Sequence, residues 1–223
     1  MKEEVFVIGG GPSIKNLDLS LLKGKDTIAV NKSIFDFPTA KYFVTIDFTF
    51  LRKIDIKKFR KTPATKFFIA NFAFEHLKYI DGRIVDARPN FKNRNGIGLI
   101  YDLPDFDIVV RSKQSSGIGI EFNDFRSGGN SGFCGFQLAV LLGYKKIYLL
   151  GIDLNDVCEE THYHGGYGED AAKFYSKTPM YLDNFISGLK ELEHKNPRVD
   201  VYSCSNVSKL NGTIEYKNIE GVV

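Results

Sequence analysis

Two histidines separated by one residue lie in the segment THYHG, residues 161–165, and are the clearest candidates for proton transfer in this sequence. A histidine in a loop can act as a general base, because its side chain titrates near neutral pH. Together with Asp153, His162 and His164 could instead bind a metal, provided that the segment is extended and places both rings on one side. A surface loop without a chemical role is the third interpretation.

A glycine-rich turn follows the first apolar run, in the segment VFVIGGGPSIK at residues 5–15. Glycines let the backbone approach a phosphate closely, and the amide groups at a helix start attract an anion. The turn lacks the third glycine of GxGxxG and the GK[ST] of a P-loop, so it indicates a phosphate without specifying a nucleotide. A tight turn with no ligand is the alternative. We predict that a nucleotide phosphate is bound by Gly9, Gly10, Gly11 and Ser13.

Further polar residues follow predicted strands, at the sheet edge where α/β proteins bind ligands. They are Asn31, Asp47 and Asp153. A second glycine-rich helix start, SGGNSG at residues 127–132, could contact another anionic or sugar group through Asn130, Ser131 and Gly132. Arg126 directly precedes it and is a candidate catalytic residue, which could make a charge-assisted contact with a phosphate or carboxylate; a surface arginine is the alternative. Taken singly, the strand-end residues are equally well explained as turn or helix-cap residues.

The elements that would position these residues alternate between strands and helices. Continuous apolar runs predict buried parallel strands at Val5–Ile8, Thr27–Val30, Tyr42–Ile46, Lys66–Ala70, Ile108–Val110, Lys146–Leu150 and Val199–Ser203. Helical spacing occurs at Leu17–Leu22, Ile54–Arg60, Asn130–Leu142 and Pro179–His194. This order predicts one α/β domain over residues 1–223, with a Rossmann-like, doubly wound, mostly parallel sheet, helices on both faces and a small lid. Loops near 111–129 and 155–178 are the candidates for lid and acceptor contacts.

Composition excludes several functional classes. The 223 residues are 43% hydrophobic and 26% charged, with a net charge of +3, which is typical of a globular protein and does not indicate a nucleic-acid binder. The basic stretch 52–66 predicts a solvated helix face, with peripheral membrane contact as the alternative. Three cysteines without a CxxC pair indicate reduced thiols. Since no signal peptide or membrane-length apolar run is present, we expect a cytoplasmic protein. The oligomeric state stays open, a homo-oligomer included.

Several motifs in order resemble a known group of enzymes. They are GGGPSIKNLD, Asn31 at a strand end, a glycine- and serine-bearing helix start before GFQLAVLLGYKKIYLLGID, the THYHG loop and a late VYSCSNVSKL. Over about Val5 to Leu210 the chain resembles small bacterial sialyltransferases that modify lipo-oligosaccharides. It also resembles the MptE-like family, which includes archaeal 6-hydroxymethyl-dihydropterin diphosphokinases.

The sialyltransferase resemblance implies a single Rossmann-like domain with a lid that uses CMP-sialic acid without a metal. A histidine of the His162/His164 pair would remove the proton of the acceptor hydroxyl. The resemblance also implies which residues contact each part of the donor. These are the nucleotide (Gly10, Gly11, Ser13, Asn31), the phosphate and sugar (Asn130, Ser131, Gly132), the ribose or base (Asp153) and the cytidine side (Ser203 to Ser205). The resulting hypothesis is a glycosyltransferase that moves a sugar from a nucleotide sugar, with CMP favoured, to a glycan or other hydroxyl acceptor.

The chain also departs from the sialyltransferase pattern. Gly10 and Asp47 stand where that family usually has Asn, and the segment between Asp153 and the histidines is shorter. A carboxylate near a phosphate repels it unless a cation intervenes. With Asp47 and Asp153 as oxygen ligands of Mg²⁺, the chain could instead be an ATP-dependent diphosphotransferase. Mg²⁺ is a predicted cofactor only in that case. A non-catalytic nucleotide-binding module is the third hypothesis.

Overall fold

The computed structural model describes residues 2–47, 50, 55–71, 77–80, 83–86, 100–102, 105–113, 116–155, 161–165 and 175–223. The strands are β1 (Lys2–Ile8), β2 (Thr27–Val30), β3 (Tyr42–Thr45), β4 (Thr65–Asn71), β5 (Leu77–Ile80), β6 (Arg83–Asp86), β7 (Ile100–Asp102), β8 (Ile108–Ser112), β9 (Tyr144–Leu150), β10 (Asp200–Ser203) and β11 (Glu215–Tyr216). The α-helices are α1 (Ser33–Asp36), α2 (Ile56–Arg60), α3 (Ser131–Leu141) and α4 (Thr178–Lys195). Short 3₁₀ helices include Pro12–Asn16 and Leu19–Leu22.

Eight of the strands form one parallel sheet in the order β11-β10-β9-β1-β2-β3-β4-β8. The chain builds outward from β1 to β8 on one side and then returns to β9, on the other side of β1. The strand order therefore reverses between β1 and β9. In open parallel sheets, ligands bind in the crevice at the carboxyl ends of the strands where this reversal occurs.

The sheet is covered on both faces, which explains why its strands are continuously apolar rather than alternating. On one face, the buried side chains of β1, β2 and β9 pack with α3 and α4 in a cluster that includes Phe133, Phe136 and Phe185. On the other face, a second cluster surrounds Phe43, Phe50 and Phe59. Ten of the eleven residues of α3 are buried, so this helix is a core element and not an amphipathic surface helix.

The seven predicted strands are confirmed, and so is the doubly wound α/β fold. Leu17–Leu22 was predicted as an α-helix, but only Leu19–Leu22 is helical, as a 3₁₀ turn that Asp18 caps. The strand β11 and the antiparallel sheet β5-β6-β7 were not predicted, because these strands, of four residues or fewer, give too short a hydrophobic pattern to recognise. Much of the predicted 155–178 lid lies outside the described residues, so the lid stays a prediction.

The two cysteines that the structure describes agree with the expectation of reduced thiols. Cys134 and Cys204 are buried, unpaired thiols, and burial raises the pKa of Cys204 to about 12; Cys158 lies outside the described residues. In the part of the chain that the structure describes, we find no helix with the length and apolarity needed to cross a membrane.

Candidate functional site

The turns after β1 and β9 contact each other directly at the point where the strand order reverses. The N–H of Gly9 donates to the carbonyl of Leu150 at 2.7 Å, and the N–H of Gly11 donates to that of Gly151 at 2.8 Å. A Cβ at Gly9 would lie 2.5 Å from the carbonyl oxygen of Gly151, which itself has a φ of +61°. Only glycines fit such a close crossing of two turns. The glycines therefore bring two strand ends together, in addition to any role with a phosphate.

The Ser13 side chain is hydrogen-bonded to Asp153, which is also one of the residues predicted to bind the ligand. The carboxylate of Asp153 accepts from the Ser13 N–H at 2.9 Å and from its hydroxyl at 2.6 Å. Both residues are buried. Neither donor of Ser13 is available to a phosphate in this arrangement. The pair instead fixes the 3₁₀ helix Pro12–Asn16 to the turn after β9.

Asn31 and Asp47 are connected through Thr45 at the ends of β2 and β3. The Thr45 hydroxyl donates to Oδ1 of Asn31 at 2.7 Å and accepts from the N–H of Asp47 at 3.0 Å. Asn31 has a φ of +54°, in the left-handed region that asparagine tolerates better than most residues. Its Nδ2 group carries two further donors. Thr45 thus connects the Asn31 amide, at the end of the second strand, to the backbone of Asp47, after the third.

The start of α3 forms the next part of this edge. Asn130 is the N-cap, because its Oδ1 accepts from the N–H of Phe133 at 3.1 Å. The Ser131 hydroxyl accepts from the N–H of Ile46 at 3.4 Å, which connects α3 to the end of β3. A Cβ at Gly132 would lie 2.8 Å from Cδ1 of Ile152, in the turn after β9. The three predicted residues of this helix start therefore adjoin the turns after β3 and β9.

The histidine loop, residues 161–165, packs directly on the first glycine turn. The N–H of Tyr163 donates to the carbonyl of Gly10 at 3.0 Å. The rings of His162 and His164 stack with centroids 5.0 Å apart and an interplanar angle of 20°. Nδ1 of His162 lies 3.0 Å from the hydroxyl of Thr161. The Tyr163 hydroxyl donates to the carboxylate of Asp36 in α1, which holds the loop from its other side.

Gly10 is the point of closest approach between the glycine turn and the histidines. A Cβ there would lie 3.1 Å from Cδ2 of His162 and 3.8 Å from Nε2 of His164. The φ of Gly10 is not positive, so the backbone would accept a side chain, but His162 would have to shift by a few tenths of an ångström to accommodate it. The glycine that departs from the sialyltransferase pattern thus makes room for the histidine loop.

We expect Gly10→Val to lower turnover that depends on the histidines at least about tenfold, because the valine would push the histidine loop away by a fraction of an ångström or more. The midpoint of thermal unfolding should change little, since Gly10 is partly exposed. Steady-state kinetics and a thermal melt measure the two effects. Gly212→Ala is the control, because no atom lies within 4 Å of the added Cβ. Equal turnover in Gly10→Val and wild type would contradict this account of the loop.

Arg126, predicted as a catalytic cation, is engaged in a structural network. Its guanidinium donates to the carbonyl of Ser116 at 3.0 Å and pairs with Glu191 and Asp124, each at 3.2 Å. Burial acts to raise the pKa of Glu191, but hydrogen bonds from Lys195 and the Ile118 N–H and the charge of Arg126 lower it overall. Asp124 also pairs with Lys113, and Glu191 also pairs with Lys195. The contacts of Arg126 connect the loop before α3 to α4, and its catalytic role stays a prediction.

Ser205, the remaining predicted residue, is buried in the turn after β10. Its N–H donates to the hydroxyl of Ser203 at 3.3 Å. The adjoining Ser208 hydroxyl donates to the carbonyl of Ile152 at 2.8 Å, so this turn supports the one after β9. Among the residues described, no group of three His, Cys, Asp or Glu side chains is arranged to hold a metal ion.

Several residues that shape the site were not predicted from the sequence. Ile152 lies between Gly9 and Gly132, and Tyr163 and Asp36 hold the histidine loop. Tyr163 stands between two candidate histidines, which was a usable signal. Asp36 gave none, because its contact joins residues 127 positions apart.

Comparisons with known proteins give one similar structure. No family model matches the sequence, and no curated protein matches it. The chain is similar to one described in the crystallographic analysis of monomeric CstII, with 18% sequence identity and a TM-score of 0.46. The alignment covers 96% of this chain and 86% of that one. The resemblance to sialyltransferases and to the MptE-like family therefore rests on the sequence motifs quoted above.

Proposed function

We propose that this protein is a glycosyltransferase that moves a sugar from a nucleotide sugar, with CMP as the favoured nucleotide, to a hydroxyl acceptor. The observation that carries the proposal is the packing of the histidine loop on Gly10, at the crevice between β1 and β9. A proton acceptor in this loop would lie beside the turn at which an α/β fold binds a nucleotide. Asn31 and Ser131 supply neutral polar groups along the same edge.

The donor phosphate is assigned to the start of α3. The eleven-residue helix presents its first amide groups there, and Ser131 adds a hydroxyl. Ser13 has no part in this assignment, because Asp153 engages both of its donors. Asn31, at the end of β2, is the candidate contact for the ribose or base, because its amide can donate while Oδ1 accepts.

His162 is our candidate for the general base. If Nδ1 carries the proton and donates to Thr161, the lone pair lies on Nε2, which then accepts the proton of the acceptor hydroxyl. The hydroxyl oxygen forms a bond to the anomeric carbon of the donor sugar. The bond between that carbon and the phosphate oxygen breaks, and CMP leaves with the electron pair. Amide and hydroxyl donors at the phosphate stabilise the charge that develops on this leaving group.

A donor screen tests the function. Purified protein is incubated with CMP-, UDP- and GDP-sugars, and release of the nucleotide is measured with and without a panel of glycan acceptors. We expect slow hydrolysis of one CMP-sugar and faster release when an acceptor is present. Failure to bind or turn over any of these donors would refute the proposal. Measuring ATP binding with and without Mg²⁺ separates it from a diphosphotransferase, whose nucleotide affinity requires the ion.

A further inference from the structure

The apolar stripe of α4 extends beyond the core that it covers. Phe185, Leu189 and Leu192 are buried on the face of α4 that packs against the sheet. Tyr181 lies one turn before Phe185 on the same face, yet it is only partly buried. Met180 beside it is 50% exposed. The first turn of α4 therefore presents an aromatic ring and a thioether at the edge of the core, where they are not needed to fill it.

This turn of α4 adjoins the loop at the start of α3. Nδ2 of Asn184 donates to the carbonyl of Gly128 at 2.8 Å, which fixes the helix to the loop. A Cβ at Gly129 would lie 3.6 Å from Cε1 of Tyr181 and 3.7 Å from Cε of Met180. Gly129 is exposed, with a φ of +67°. A patch of backbone without a side chain is thus bordered by the tyrosine ring and the methionine.

The end of β3 lies on another side of the same patch. The hydrogen bond between the Ile46 N–H and Ser131 brings the end of β3, and with it the backbone of Asp47, next to the start of α3. Burial raises the pKa of Tyr181, and the negative charge of Asp47 raises it further. The Tyr181 phenol is therefore neutral at physiological pH. The patch combines an aromatic ring, a neutral hydroxyl and an anion.

We propose that Tyr181, Met180, Gly129 and Asp47 form a binding site for a neutral hexose ring. The C–H face of a sugar carries partial positive charge and is attracted to the negative face of an aromatic ring. The sugar hydroxyls donate to the carboxylate of Asp47 in charge-assisted hydrogen bonds. The same carboxylate repels an anionic sugar. This proposal rests on the proposed function, in which the ring belongs to the acceptor.

Direct binding tests the site without any turnover. Saturation-transfer NMR with a panel of neutral methyl hexosides is recorded for wild type, Tyr181→Ala, Tyr181→Phe and Tyr216→Ala. Tyr216 is an exposed tyrosine on β11 and serves as the matched control. We expect the wild type, Tyr181→Phe and Tyr216→Ala to bind a hexoside. Tyr181→Ala should bind it about tenfold more weakly, because the aromatic contact is lost. Equal binding by Tyr181→Ala and wild type, or no binding by any of the four, would overturn the proposal.

Kinetics then test the assignment to the acceptor. In Tyr181→Ala, we expect a raised KM for a hexoside acceptor with unchanged KM for the donor. Weakened binding of a CMP-sugar, with the Kd of CMP itself unchanged, would contradict the assignment to the acceptor. Wild-type protein that binds hexosides but hydrolyses no nucleotide sugar would refute the glycosyltransferase while the hexose site stands. Asp47→Asn should reduce discrimination against anionic hexosides such as methyl glucuronide; unchanged discrimination would contradict the assignment of Asp47.

Discussion

His162→Ala should lower kcat for sugar transfer by about 10²- to 10⁴-fold, the range that removal of a general base commonly produces. The Kd of CMP should change less than about threefold, because the proposed phosphate and base contacts lie on α3 and β2. His164→Ala should have a smaller effect on kcat, since His164 contacts the base by stacking, with ring centroids 5.0 Å apart. Rapid-quench kinetics and calorimetry with CMP measure the two quantities.

The controls for this variant separate chemistry from folding. His194→Ala removes an exposed histidine from the end of α4 and should behave as wild type. Added imidazole should restore part of the activity of His162→Ala, because a small base can occupy the space that the side chain vacates. A larger loss of kcat in His164→Ala than in His162→Ala would assign the base to His164. A kcat for His162→Ala equal to that of wild type would contradict the assignment of His162 as the base.

Asp153→Ala should lower the free energy of unfolding by about 3 kcal/mol. Asp153 is 3% exposed and accepts two hydrogen bonds from Ser13. Hydrogen bonds to a charged acceptor contribute about 1.5–3 kcal/mol each, and the variant leaves a buried hydroxyl without its partner. Denaturant unfolding measures the change. Asp200→Ala, at an exposed position on β10, should alter stability by less than about 0.5 kcal/mol.

A double-mutant cycle with Ser13→Ala isolates the contact between the two side chains. We expect a coupling energy of about 1–2 kcal/mol, because Ser13→Ala removes the hydroxyl bond and keeps the backbone one. CMP binding to Ser13→Ala should equal that of wild type within about threefold. A large loss of CMP affinity in this variant, with stability unchanged, would show that Ser13 contacts the phosphate after all.

The position of Asp153 has a consequence for magnesium as well. Asp153 is 3% exposed and both of its carboxylate oxygens accept a hydrogen bond from Ser13, which leaves little space there for Mg²⁺ and the waters that it retains. Asp47 is the remaining acidic candidate at the strand ends, and a single carboxylate is a weak site for Mg²⁺ without substrate phosphates. For these reasons we propose the metal-independent transferase rather than the diphosphotransferase.

The amino-acid sequence by itself determined the layout of this protein. Continuous apolar runs such as TIAV at 27–30 and YFVT at 42–45 have a length and composition suited to strands buried on both faces. Their alternation with helical segments then leaves a parallel sheet as the arrangement that buries them all. The strand-end positions of Asn31, Asp47 and Asp153 followed from the same pattern. Local spacing therefore placed these candidate residues at the carboxyl ends of the strands.

Only the tertiary structure decided what each residue does at that edge. Ser13 and Asp153 are 140 positions apart, and Arg126 meets Glu191 across 65, so no local pattern reveals that they satisfy each other. A buried hydroxyl or charge bonds to whichever partner the packing supplies, and here Ser13 and Arg126 are engaged by other side chains of the protein. The same packing brings His162 against Gly10 and Tyr181 against Gly129. Spacing along the chain restricts which residues can reach the crevice, but distances between remote segments determine which of them remain available to a ligand.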